Sequence, residues 1–342
     1  MSWINSLSWM HWLLIALLAI FIALLFVARR RAWTFGRFSL LAIVAAIIVV
    51  PFFWLICSAI KDRKVFNAYT FLPPVSLWRA QAAPKGTTYV RLDSLTPEER
   101  ASVKKDDLVD SALNLGNFRT LFTDESTVQG PVNFWRYVLN SLFLASATTF
   151  IAMVFSSMGG YALAKYRFRG RTAVLTFMLA SMTIPGVVLL VPNFNVIWRL
   201  GFMNTFLALI VPGAVSVFGI FLFRQAMLGV PDDLLDAGRI DGCGEFRIYL
   251  TVIMPLVRPM TGAFCLITFL GAWNSFLGPY TYLQSQGNLP LPIVLNQYVG
   301  IYQQEYGVFL AGTLLAIIPP AILFFALQRE FISGLTSGAV KQ

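Results

Sequence analysis

The sequence predicts an all-α polytopic membrane protein, on three observations. Hydrophobic residues make up 57% of the 342 and charged residues only 12%, where a soluble domain carries about 25% charged. The apolar residues gather into runs of roughly 17–25, the length that takes a helix across ~30 Å of hydrocarbon. The runs are continuous rather than alternating, which argues against a spanning β-barrel.

Seven runs meet this description: about 12–28, 39–60, 137–163, 173–195, 203–223, 259–280 and 307–328. The first has no Lys or Arg before it and Arg29-Arg30-Arg31 after it. A cleaved secretory signal has the reverse arrangement, so this run is expected to be a retained helix with its amino terminus outside. The basic clusters then fix the remaining topology. Arg29–Arg31 and Arg37 separate runs one and two. Lys165, Arg167, Arg169 and Arg171 separate runs three and four. Arg224, Arg239, Arg247 and Arg258 lie between runs five and six, and Lys341 follows run seven. An odd number of crossings puts all of these on the cytoplasmic side, as the positive-inside rule requires, with the carboxyl terminus inside. That rule also accounts for the formal net charge of +10, so nucleic acid is not an expected partner.

The segment 61–136 is mixed in charge and long enough to translocate regardless of it. It is expected outside as a polar cap. Thr96-Pro97-Glu98-Glu99 has the form of a capped helix start, with a helix expected over 97–114 and a second short one over Leu115–Phe122. Gly159, Gly160, Pro185, Pro192, Pro212, Pro319 and Pro320 fall inside the crossings. In lipid such residues persist where neighbouring helices or a cavity satisfy the freed backbone groups, or where small residues let helices approach.

Several activities are excluded by what is missing. No Lys follows a Gly, so there is no phosphate loop of the G-x-x-x-x-G-K type. His11 is the sole histidine, which leaves no His-based metal site or Ser-His-Asp triad. Cys57, Cys243 and Cys265 are dispersed and odd in number, unlike a disulfide framework. Crossings one to three and five to seven hold no ionisable residue beyond their edges, and 261–304 carries no charge at all. Ion-coupled carriers generally place charges at membrane depth. A path lined by neutral polar and aromatic side chains suits a neutral polar solute, with the energy supplied from elsewhere. Trp273 and Asn274 are candidates to stack on and hydrogen-bond such a solute.

The most informative stretch is 232–259, a polar island with five acids and three arginines between uncharged runs. Pro231-Asp232-Asp233 reads as a helix entrance, since acids suit the positive end of the helix dipole. Leu234, Leu235, Ala237, Gly238 and Ile240 give a short helix, with Leu235, Ala237 and Gly238 expected to form its docking face. Asp241-Gly242 breaks it, because Gly accepts the backbone angles of a sharp turn. A second helix is expected from Glu245 through Pro255 and Pro259 into the next crossing.

This island resembles the cytoplasmic coupling loop of type I ATP-binding-cassette importer permeases. The family pattern is E-A-A, two residues, D-G-A, a spacer and I-x-L-P. Here it reads Asp236-Ala237-Gly238, Asp241-Gly242-Cys243 and Val252-Ile253-Met254-Pro255. Gly238 in place of Ala costs roughly 1 kcal/mol of helix stability. The resemblance extends over about 39–342, through Tyr161-Ala162-Leu163-Ala164-Lys165, Gly201-Phe202-Met203-Asn204-Thr205, Trp273-Asn274 and the tail 334–341, and is nearest to the smaller permease of carbohydrate importers.

The resemblance implies a type I importer fold of six core helices plus one extra N-terminal helix. Residues 1–38 would be the extra helix and its basic loop, 39–60 the first core helix, 61–136 an enlarged outer loop and 137–342 the permease core, with the coupling loop at 225–258. It also implies a bacterial cytoplasmic membrane location, a second homologous permease, two ATPase subunits beneath, a solute-binding protein outside, and no cofactor or catalysis of its own. Leu235, Asp236, Ala237, Gly238, Asp241, Gly242, Cys243 and Pro255 become the coupling residues, with Asp236 offering a carboxylate to a basic ATPase residue. A stand-alone carrier or channel, or an importer for a non-sugar solute, remains an alternative reading.

Overall fold

Proline and glycine positions decide where the apolar runs stay straight. The computed structural model describes residues 16, 29–123, 126–127, 130–131, 133–299 and 305–337. The first expected crossing, 12–28, lies outside the described residues apart from Ala16. The chain divides into two compact units between Leu113 and Asn114.

The first unit contains α1, Arg29–Ala59. From Thr34 to Ala59 it is apolar and long enough to cross a membrane. The basic stretch 29–37, expected as a loop, is helical from Arg29 onward. Beyond α1 the chain folds rather than trailing as a linker. An antiparallel hairpin pairs β1, Ala82–Lys85, with β2, Thr88–Arg91. Val65, Leu77, Ala82, Val109 and Ala112 form a small core against it. Lys61 is 1% exposed, yet its ammonium donates to the Tyr69 carbonyl at 2.7 Å and lies 5.0 Å from the centre of the Phe66 ring. Burial lowers its pKa below the ordinary lysine value, while the carbonyl and the ring face supply what water would otherwise give. The expected capping box forms at α2, Pro97–Ser102, with Thr96 and Glu99 exchanging hydrogen bonds. The helix does not reach residue 114. It ends at Ser102, and Val109 instead pairs with Ala82 at the hairpin edge, exchanging backbone hydrogen bonds of 2.8 and 3.0 Å while its side chain enters the small core.

The second unit opens with α3, Gly116–Phe122, close to the expected Leu115–Phe122. A two-residue antiparallel pairing follows, β3 (Ser126–Thr127) with β4 (Gly130–Pro131). Its central helix is α4, Phe134–Lys165, capped by the Asn133 side chain, which accepts from the Arg136 N–H at 3.1 Å. Gly159 and Gly160 do not break α4. A Cβ on Gly160 would come within 2.6 Å of the Phe223 Cβ and 2.8 Å of the Arg224 backbone nitrogen, so this glycine lets a second helix lie against α4.

Runs four and five are not single helices. Run four is split into α5, Arg171–Ser181, and α6, Leu190–Arg199, with Pro185 in the break. Run five is split into α7, Leu207–Ile210, and α8, Val217–Leu228, with Pro212-Gly213 between them. Proline removes a helix donor and clashes with the preceding turn. Ser156 of α4 compensates at the second break, accepting from the Ser216 N–H at 3.1 Å and donating to the Ser216 carbonyl at 3.3 Å.

The island follows as α9, Asp233–Ile240, and α10, Glu245–Ile248. The helix expected from Glu245 continues through a wide turn at Tyr249–Ile253 and a short α11 at Met254–Leu256, and then bends by 82° into α12, Arg258–Trp273. Pro255 has no N–H to give the helix ladder, and Pro259 suits the first turn of a new helix. The chain then runs through α13, Leu277–Tyr282, and α14, Leu291–Gln297, to α15, Tyr306–Ala316, and α16, Ile318–Ser337. Pro319 and Pro320 fall in the first turn of α16, where missing N–H groups cost little.

Among the described residues, three stretches are apolar and long enough to span, Thr34–Ala59, Phe134–Lys165 and Tyr306–Gly334, and the bent α10–α12 pair makes a fourth if it crosses as one span. The apolar runs thus become both continuous and broken helices, with a core in which α4 packs on α8 and α12, and α12 on α16.

Candidate functional site

The island folds into an elbow whose geometry follows from its sequence. Helix α9 stops because Gly242 adopts φ +77°, a left-handed conformation that side chains with a Cβ resist. The Cys243 N–H then bonds the Gly238 carbonyl at 2.9 Å, and the Gly242 N–H the Arg239 carbonyl at 3.0 Å. This is a Schellman stop, which satisfies carbonyls that would otherwise be left open.

The two faces of α9 differ from the expectation. Leu235 is 2% exposed and packs with Phe223, Met227, Ile248 and Ile253 in one core that reaches α4, α8 and α12. Gly238 faces Ile248, whose side chain would lie 3.1 Å from an added Cβ. Leu235 and Gly238 thus point inward and hold the elbow against the bundle, so they do not form an outward docking face. The helical period turns Leu234, Ala237 and Ile240 outward, with Ile240 86% exposed. Asp236 and Asp241 are exposed, Cys243 is half-buried against the core, and Pro255 is exposed beyond the wide turn.

Ion pairs that the motif did not reveal lock the elbow. Arg239 bonds Glu245 at 2.8 Å and Asp236 at 2.7 Å. The other Glu245 oxygen accepts from the hydroxyls of Tyr166 at 2.7 Å and Tyr161 at 3.3 Å. Arg239, and then Tyr166, hold the Glu245 carboxyl below its ordinary pKa, while burial and the Glu245 contact push Tyr166 up. The buried Lys165 side chain donates to Asp232 at 2.6 Å and keeps the Asp232 pKa low. Lys165 therefore ties the end of α4 to the start of the elbow, a role hidden behind its place in a basic cluster. Tyr249 and Ser157 share a further hydrogen bond of 2.6 Å between the wide turn and α4.

The expected solute residues fall elsewhere. Trp273 is 3% exposed and stacks on Phe269 with ring centres 5.8 Å apart. Asn274 is exposed and caps α12, donating to the Leu270 carbonyl at 2.9 Å. The helical period that buries Trp273 turns a different stripe, Thr268, Gly271, Ala272 and Ser275, toward a hollow of about 320 Å³. Ser141, Leu144 and Thr148 of α4 form the opposite wall, and the broken run at Gly213 and Ser216 closes one side. Among the described residues no charged side chain lines it. Spacings of three, four and seven mark both stripes in the sequence, but their small size resembles ordinary helix packing. Among the described residues no group of three or more His, Cys, Asp or Glu side chains gathers as a metal site would require.

This architecture has relatives. The profile of the family described as "binding-protein-dependent transport system inner membrane component" matches residues 152–335, which includes the elbow and α12. The arabinooligosaccharides transport system permease protein AraQ of Halalkalibacterium halodurans is 38% identical over 68% of this chain and 81% of its own length. The lactose transport system permease protein LacG of Rhizobium radiobacter is 35% identical over 63% and 77%. The solved structure of a bacterial ABC transporter involved in the import of the acidic polysaccharide alginate shares the fold, with a TM-score of 0.66 over 89% of this chain and 98% of that one at 19% identity. The chain belongs to the family of binding-protein-dependent transport system inner membrane components, as a permease subunit of the type I importer fold and not an enzyme.

Proposed function

We propose that this chain is one of two homologous permeases in an ATP-driven importer of sugars or related neutral polar solutes. In this reading it sits in the bacterial cytoplasmic membrane with the elbow and the carboxyl terminus inside. A second permease completes the path, two ATPase subunits lie beneath, and a solute-binding protein delivers cargo outside. The names of AraQ and LacG support a sugar as cargo, and the family description sets aside a carrier working alone.

The single observation that carries the reading is the elbow itself. It offers an apolar outward face at Leu234, Ala237 and Ile240, while Leu235, the Lys165–Asp232 pair and the tyrosine bonds to Glu245 tie it to the helices behind. A push on that face moves α8 and α12 rather than bending a loop. Asp236 and Asp241 flank the face and suit a basic partner groove, Gly242 and Cys243 keep the turn, and Pro255 sets the wide turn through which motion enters α12.

The test is coupled transport in the reconstituted importer. A Cβ added at Gly242 meets no neighbour within 4 Å, so the main cost of Gly242→Val is the left-handed backbone, about 1–2 kcal/mol. It is expected to let the complex assemble while uncoupling ATP hydrolysis from uptake. Ile240→Asp should release the ATPase subunits during purification. Normal coupling in Gly242→Val together with normal ATPase retention in Ile240→Asp would remove the elbow as the coupling site.

A further inference from the structure

We propose that the hollow between α4 and α12 is a solute subsite contributed by this chain, selective for uncharged polyhydroxylated rings over carboxylated ones. The inference rests on the sugar-importer reading above and assigns it particular atoms.

Its volume of about 320 Å³ falls at the lower end of small-molecule sites, which span ~300–1,000 Å³. Five hydroxyl side chains line it: Ser141, Thr148, Ser216, Thr268 and Ser275. Two are committed to the fold, since Ser141 accepts from the Leu291 N–H at 2.8 Å and Ser216 caps α8 by accepting from Gly219 at 3.1 Å. The hydroxyls of Thr148, Thr268 and Ser275 have no hydrogen-bond partner among the described residues. Two other threonines of the same bundle behave differently. Thr261 and Thr313 each return their hydroxyl to a carbonyl one turn back, the usual way for a helical hydroxyl to be satisfied in an apolar setting. Three unpaired hydroxyls facing one open hollow are left for water or a polar ligand to satisfy.

The lining also defines what that something is. Each hydroxyl donates and accepts, as each sugar hydroxyl does. Among the described residues no Lys or Arg lines the hollow to receive a carboxylate, and desolvating an unpaired one is far more costly than desolvating a hydroxyl. The hollow lies along α4 from the elbow by roughly 20 Å, at 1.5 Å per residue between Thr148 and Tyr161. Both therefore act on the same helix.

Gly271 supplies the test. A Cβ there meets nothing within 4 Å, and Gly271 lines the hollow, so Gly271→Leu is expected to fill part of it. The importer is reconstituted in liposomes with its ATPases, second permease and binding protein, and uptake of lactose, arabinotriose and trigalacturonate is measured beside binding-protein-stimulated ATP hydrolysis. The expected result is uptake of the uncharged sugars only, reduced about tenfold by Gly271→Leu and to a similar extent by Thr268→Val with Ser275→Ala, the worth of one lost hydrogen bond or more, with stimulated hydrolysis retained. Full uptake in both variants overturns the subsite and leaves the sugar reading standing. Wild-type uptake of trigalacturonate in preference to the uncharged sugars overturns the proposed selectivity. A wild type that imports none of the three overturns the sugar reading and the subsite with it.

Discussion

At the scale of single residues, the chemistry is concentrated in the elbow's ion pairs. Glu245 has a depressed pKa because Arg239 and Tyr166 bond its ionised form. A depressed carboxyl contributes stability that is complete above its ordinary value of 4.5 and is lost as pH falls through the lower folded value. The elbow's share of the stability should therefore be constant from neutral pH down to about 5 and be lost in acid. Glu245→Gln keeps an acceptor for the tyrosine hydroxyls but gives up the pair with Arg239. It should unfold at a lower temperature at neutral pH and show a shallower acid limb in a thermal scan between pH 3 and 8. An unchanged acid limb would place the titrating group elsewhere. The Asp241-Gly242 turn could be read directly from sequence, because only the backbone freedom of Gly fits it. The roles of Glu245 and Lys165 could not. Their partners, Tyr166 and Asp232, stand 79 and 67 positions away, and nothing local encodes such a pairing.

At the scale of elements, glycine and proline proved to do different things. Pro185 and Pro212 interrupt helices, as removal of a backbone donor predicts. Gly159 and Gly160 leave α4 straight and instead admit α8. That assigns Gly160 to packing, with a measurable consequence. Gly160→Ala places a methyl within 2.6 Å of Phe223 and should cost about 1–3 kcal/mol as overpacking. Gly271→Ala, with open space around its Cβ, should cost little. Thermal stability of the two variants in detergent separates them, and equal midpoints would contradict the close approach of α4 and α8. The split of runs four and five was only half legible. The prolines were visible, but whether the released backbone groups would find partners depended on Ser156, some sixty residues earlier in the chain.

At the scale of the whole molecule, each of the two units rests on its own kind of order. Residues 61–113 hold a polar fold around the buried Lys61, and the second unit holds the elbow and the hollow. The charge distribution predicts that the elbow faces the cytoplasm and the 61–113 fold the exterior. Ile240→Cys should react with a membrane-impermeant maleimide only in inside-out vesicles. Lys85→Cys, on the exposed β1 end of the hairpin, should react only in right-side-out ones. Labelling of both from one side would overturn the proposed orientation.

The sequence by itself determined the membrane class, the elbow's turn and the family to which it belongs. Each of these is written in neighbouring residues: apolar runs long enough to span, a Gly at the one position that needs positive φ, and a spaced motif. Tertiary structure decided which face of α9 is offered outward, why Trp273 packs while Thr268 and Ser275 face a hollow, and how Lys165 and Glu245 bind the elbow to the bundle. Those outcomes depend on which helix lies against which, and a helical period fixes only the angle between side chains, not the direction of the neighbour.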